Sequence, residues 1–172
     1  MHFHEFDRVY SILEASFPPD EYRGYDAQKA LLDNPCYTVY VYPQNSDIIA
    51  LITVWQFEKF SFIEHFAVDP FHRNGGLGTA LLTEIVRMLP NDLCLEAELP
   101  QTEIARRRLA FYRRNGFIPN DFPYMQPAYS LDKNPVPLVI MTQSKSLSPE
   151  QFHYIENTLH ERVYGVCKKE NG

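Results

Sequence analysis

Apolar positions change their spacing several times along the chain, and each change marks an element. Phe3, Phe6, Tyr10, Leu13 and Phe17 recur at helical steps, which predicts a helix over 4–16 that Pro18-Pro19 stops. Ala27, Ala30, Leu31 and Asn34 predict a short second helix ending before Pro35. The run Tyr37-Thr38-Val39-Tyr40-Val41-Tyr42 is β-branched and aromatic, a strand, and Asn45-Ser46-Asp47 is a hairpin turn. Further strands are expected over 48–57 and 61–68. A helical pattern then covers 76–89 until Pro90-Asn91-Asp92 breaks it. A strand over 93–99 and a helix over 103–115 follow, with Gly116 as the residue that closes the helix.

Beyond Gly116 the pattern is punctuated by proline. Phe117-Ile118-Pro119 begins a strand, Tyr124 to Tyr129 forms an edge, and Val136 to Thr142 reads as the last strand. Ser148-Pro149-Glu150-Gln151 is a helix start, with a serine cap, a first-turn proline and a glutamine placed for a capping box. Phe152, Ile155, Leu159 and Val163 give this C-terminal helix, at about 148–164, a stripe for plain packing. The order is that of an α/β chain, and 172 residues suit one domain over 1–172 with a full core.

Chemistry concentrates between the third strand and its helix. Val68-Asp69-Pro70-Phe71-His72-Arg73-Asn74-Gly75-Gly76-Leu77-Gly78-Thr79-Ala80-Leu81-Leu82 places a glycine-rich turn at a helix start. Glycines allow unusual dihedrals and close approach, and a helix start offers unpaired N–H donors, so the segment suits a pyrophosphate. No lysine follows the glycines, as a P-loop requires, and the spacing does not fit the dinucleotide fingerprint cleanly.

What is present is Arg73-x-x-Gly76-x-Gly78 after Val-Asp-Pro and before Leu81-Leu82. This resembles the acetyl-CoA signature of the GNAT superfamily of N-acetyltransferases. A second block, Ala110-Phe111-Tyr112-Arg113-Arg114-Asn115-Gly116-Phe117, is similar to the Phe-Tyr-x-x-x-Gly-Phe segment that follows in that superfamily. The resemblance covers roughly 36–145. It implies a mixed, mostly antiparallel sheet flanked by helices, with an acetyl-CoA cleft between two central strands. It also implies acetyl-CoA as co-substrate and transfer of acetyl to a primary amine of a small molecule by direct attack. A protein or peptide acceptor and a non-catalytic CoA-binding module are the alternatives.

The resemblance assigns cofactor contacts to Arg73, Asn74, Gly75, Gly76, Leu77, Gly78 and Thr79, and pantetheine pairing to Phe66, Ala67 and Val68. Tyr112 takes the place of the tyrosine that protonates the leaving thiolate; a phenol stays protonated at neutral pH and can donate. Three residues compete as general base, with Glu64 the first choice and Glu96 its rival, and water can relay the proton for any of them. Glu64 shares strand parity with Phe62, Phe66 and Val68, and among aromatics its pKa is expected to rise. Glu96 lies in Leu95-Glu96-Ala97, similar to the Leu-Glu-Val run of protein N-terminal acetyltransferases. His65 is the third, with parity that points it to the opposite face from Glu64. One departure stands out: Ala105 occupies the position where many members carry a pantetheine-binding asparagine.

Composition narrows the partners. A net charge of −6 argues against nucleic acid. Arg106, Arg107, Arg108, Arg113 and Arg114 crowd one helix, where a solvated face is expected for most and contact with the nucleotide end of CoA for some. Phe17, Tyr22, Tyr25, Tyr124 and Tyr129 are candidate walls for an apolar or cationic amine, and suit core packing equally. Cys36, Cys94 and Cys167 are scattered, which suits reduced thiols in a cytoplasmic protein. No membrane span, signal peptide or metal-ligand spacing is expected, and a homodimer is compatible with the chain.

Overall fold

The computed structural model describes residues 3–143 and 145–166; Cys167 and His2 lie outside them. The chain forms two compact units, Met1–Leu95 and Glu96–Gly172. Among the described residues no helix is long and apolar enough to cross a membrane, and no group of three or more His, Cys, Asp or Glu side chains is placed to hold a metal ion.

The first unit opens with helix α1, Phe3–Ser16, and the short helix α2, Tyr25–Ala30, whose expected later part is a 3-10 turn, Leu31–Asp33. Strands β1, Tyr37–Gln44, and β2, Asp47–Gln56, form an antiparallel hairpin. Its two-residue loop, Asn45 and Ser46, has both φ positive, the twist that joins two right-handed strands without splaying them. Strand β3, Phe60–Val68, pairs antiparallel with β2. Helix α3, Leu77–Met88, follows the glycine-rich turn and leads to β4, Asp92–Glu98. The start of β4 lies parallel to β3, from Phe60↔Asp92 to Ile63↔Leu95. Strand β2 is buried along nearly its whole length, so it reads as a continuous apolar run and not as an alternation. One face of β2 and β3 packs on α1 through Val9, Ile12, Leu13, Ile48, Leu51 and Ala67.

The second unit holds helix α4, Glu103–Arg114, capped by the Thr102 hydroxyl, which accepts from the Ala105 N–H. Gly116 takes a positive φ of 86° and its N–H returns to the Arg113 carbonyl, as expected of a residue that closes a helix. Strands β5, Phe117–Pro119, and β6, Tyr124–Gln126, both pair antiparallel with β7, Val136–Gln143. Buried Asn120 ties three segments together. Its amide donates to the Ile140 carbonyl and the Thr142 hydroxyl, and its side-chain oxygen accepts from the Leu147 N–H.

Helix α5, Pro149–Thr158, begins with the expected capping box. The Ser148 hydroxyl accepts from the Gln151 N–H, and the Gln151 side chain accepts from the Ser148 N–H at 2.9 Å. The helix then widens into a π-turn, Leu159–Val163, which sequence periodicity does not reveal. Phe152, Ile155, Leu159 and Val163 are all buried, as the stripe predicts. Ser148→Ala is expected to cost about 1 kcal/mol, read as a lower urea midpoint with an unchanged slope.

Candidate active site

In the first unit, β3 delivers the chain into the glycine-rich turn through Asp69. The Asp69 N–H donates to the Ile49 carbonyl at 2.8 Å, so the chain stays on β2 as the strand ends. The buried Asp69 carboxylate accepts from the Phe71 N–H at 2.9 Å and from Arg8 Nη2 at 2.7 Å. Arg8, on α1, also grips Asp47 of the β1–β2 hairpin at 2.8 and 3.0 Å. The Arg8 hydrogen bond holds the Asp69 carboxyl below its ordinary range, against the upward push of burial. Pro70–His72 then makes one 3-10 turn, leaving Phe71 95% exposed.

The cradle follows. Asn74 has φ +71° and Gly76 φ +78°, and α3 starts at Leu77. Ala80 is the first residue to bond back to Gly76, so the N–H groups of Leu77, Gly78 and Thr79 open the helix ahead of the ladder. A Cβ on Gly75 or Gly76 would meet no heavy atom within 4 Å. Conformation, not crowding by the protein, therefore requires glycine at 76, and open space lies over the turn for an anion to approach. Arg73 braces the strand end: Nε donates to the Val68 carbonyl at 2.8 Å and Nη2 to the Ser16 hydroxyl at 3.3 Å. Because the Asp69 N–H points to β2, strand alternation turns the N–H and C=O of Phe66 and Val68 toward the other edge, and those of Ala67 toward β2.

Strand parity around Glu64 differs from the sequence expectation. The β2–β3 register passes from Thr53↔His65 to Val54↔Ile63, so Glu64 is the extra residue of a β-bulge. The bulge resets the alternation. Glu64 and His65 now reach the same face, with His65 Nδ1 3.8 Å from the Glu64 carboxylate, while Phe66 lies on the opposite one. The Glu64 side chain is 1% exposed and bound on both oxygens, by Arg23 Nη1 at 2.5 Å and by Trp55 Nε1 at 2.9 Å. Burial alone would raise its pKa, but the Arg23 charge and the Trp55 N–H outweigh it and hold the carboxyl below the ordinary range. The raised pKa expected from the sequence is thus reversed by a cation that the sequence did not pair with it. His65 Nε2 must carry the proton, since it donates to the Glu21 carbonyl at 3.0 Å; Nδ1 lies 3.2 Å from the Thr53 hydroxyl. Burial lowers the His65 pKa and keeps the ring neutral.

In the second unit, Glu96 is held by two phenols. Tyr124 donates to Oε1, and Tyr164 donates to Oε2 at 2.6 Å. Tyr112, on α4, lies half-buried with its ring 5.4 Å from Phe111 and 6.0 Å from Phe117. Burial pushes its phenol up to about 12, so it is protonated at neutral pH. Ala105 is buried. Of the arginines, Arg106 donates to the Pro100 carbonyl, Arg107 pairs with Glu103, and Arg108 pairs with Glu98.

The candidate aromatics fall into two sets. Tyr22 and Tyr25 gather edge-on around Tyr10, and Phe17 meets His65 at 5.0 Å. In the second unit, Tyr129 lies 5.0 Å from Tyr164. Sequence reading missed Arg23, Arg8 and Tyr164, none of which carries a local signal. The turn-forming role of Asp69 was readable, because an Asp before Pro commonly bonds the backbone two residues on.

Arg23→Met is expected to strand the buried Glu64 charge and cost about 3–5 kcal/mol in urea unfolding, with most of it recovered in Arg23→Met/Glu64→Gln. Since the native Glu64 pKa is depressed, its stabilisation is present above the unfolded value near ~4.3 and fades as pH falls through the native one. Glu64→Gln should therefore flatten the acid limb of a stability–pH curve, and an unchanged limb would contradict the pairing.

Known proteins give this geometry its context. The sequence model described as the acetyltransferase (GNAT) family matches residues 6–117. A search of curated proteins finds no match. A solved structure from Bacteroides thetaiotaomicron, named as a GNAT-family acetyltransferase, is 33% identical with a TM-score of 0.86, over 95% of this chain and 94% of that one. The ribosomal-protein-S18-alanine N-acetyltransferase from Escherichia coli shares the fold at 20% identity, TM-score 0.60, over 87% and 94% of the two chains. An aminoglycoside 6'-N-acetyltransferase, solved with coenzyme A, does so at 14% identity, TM-score 0.57, over 80% and 89%. The family match spans β1 to β4, the left-handed turn and the Phe111-Tyr112 block, and the chain belongs to the acetyltransferase (GNAT) family.

Proposed function

We propose that this protein transfers the acetyl group of acetyl-CoA to the primary amine of a small molecule. The observation that carries this reading is the cradle: two left-handed residues, Asn74 and Gly76, open directly into α3, with space over Gly75 and Gly76. Backbone N–H groups from Asn74 to Thr79 take the pyrophosphate, aided by the positive end of the α3 dipole. The β3 edge that carries Phe66 and Val68 suits an amide-bearing pantetheine arm laid alongside it like an added strand, and an N–H of this edge suits the developing oxyanion.

Roles then follow from protonation. The amine loses a proton to become nucleophilic, forms the C–N bond at the thioester carbon, and loses a second proton to solvent as the C–S bond breaks. Tyr112, protonated at neutral pH, gives its proton to the leaving thiolate and regains one from solvent. Glu64 is already neutralised by Arg23, which suits a structural anchor more than a base. Glu96, held by two phenols, is the better acceptor for the amine's proton, through water.

Calorimetry with acetyl-CoA tests the cradle. Wild type is expected to bind at micromolar strength, and Arg73→Ala/Gly76→Glu to lose binding; no heat from wild type would overturn the reading. A panel of amines and an alanine-starting peptide, read by CoA release, then tests the acceptor. Turnover of the peptide alone would favour a protein acceptor, and binding without any turnover a non-catalytic module. Tyr112→Phe is expected to lower kcat about 100-fold at unchanged KM for acetyl-CoA.

A further inference from the structure

After Thr158 the chain forms the π-turn Leu159–Val163, closed by the Tyr164 N–H on the Leu159 carbonyl at 3.1 Å. One extra residue in a turn rotates all that follows by about 100° relative to a regular helix, and such turns are frequent at functional sites. Buried Leu159 and Val163 hold the turn in place.

Two hydrogen-bond donors to Glu96 lie at or beside this turn. Tyr164 leaves it with its phenol on Glu96 Oε2 at 2.6 Å. His160, inside it, has Nε2 3.2 Å from the Met125 carbonyl and its ring 5.7 Å from that of Tyr124, whose phenol takes the other oxygen. Tyr164 lies far beyond residue 117, where the family match ends. We propose that Tyr164 is a positioning residue for Glu96: the π-turn aims its phenol so that the carboxylate is fixed at both oxygens in the plane from which it takes the acceptor's proton. This rests on the acetyl-transfer reading.

A double-mutant cycle of Tyr164→Phe and Glu96→Gln tests it, run with an acceptor from the amine panel at a temperature below the melting of all four proteins. Tyr164→Phe keeps the ring and removes only the hydroxyl. It is expected to lower kcat about tenfold, with KM for acetyl-CoA within about twofold of wild type. In the Glu96→Gln background it should cause no further loss, because its effect runs through that carboxylate. Wild-type kcat in Tyr164→Phe, or losses that multiply in the double variant, would overturn the positioning role alone. A wild type that turns over no amine would overturn the acetyl-transfer reading and this role with it.

Discussion

An ionised carboxylate inside a protein core needs a matching cation, and in the first unit Glu64 obtains one from Arg23. Much of the unit is arranged around that pair. The bulge at Glu64 puts it and His65 on the same face of β3. Trp55 commits its indole N–H to the second carboxylate oxygen. His65 reaches the carbonyl of Glu21, two residues before Arg23. The loop between α1 and α2 is thereby pinned to β3 at two points. Tyr22 lies in this loop, with its ring against Tyr10 of α1.

The same logic of a held carboxylate governs the cradle. Positive φ is costly for Asn74, so the turn must be over-determined by what precedes it. Asp69 supplies that. Its backbone stays on β2, its carboxylate starts the next turn, and Arg8 ties it to α1 and to the hairpin. Arg73 then bonds back to Val68 and to the end of α1. The glycines give the loop freedom, and these ion pairs and hydrogen bonds remove it again in one conformation.

Most of this fold was legible because its signals are local. Proline stops, the positive-φ turn at Asn45-Ser46, the Thr102 and Ser148 caps and the Gly116 closure all act within a few residues. The family was legible through motif spacing, and so was the glycine-rich turn that opens α3. What was not legible depends on contacts distant in sequence. A bulge leaves no mark in composition, so parity misjudged Phe66 and His65 relative to Glu64. Arg23 is 41 positions from Glu64, and Tyr164 is 68 from Glu96. The π-turn was hidden because Leu159 and Val163 keep an i, i+4 spacing that a regular helix would also show.

Those distant contacts separate the two carboxylates, of which the sequence reading preferred Glu64. Glu64 faces a guanidinium at 2.5 Å, so an added cation would have to displace a partner that burial makes hard to lose. Glu96 accepts from two phenols, which fix a carboxylate's orientation through neutral donors. A carboxylate paired with a buried guanidinium serves best as a fixed point. Tyr112 completes the contrast. Burial that raises a phenol's pKa makes it a poorer base and secures its proton for donation. What each group can do is therefore set less by its residue type than by the charge, or lack of charge, of the group that holds it.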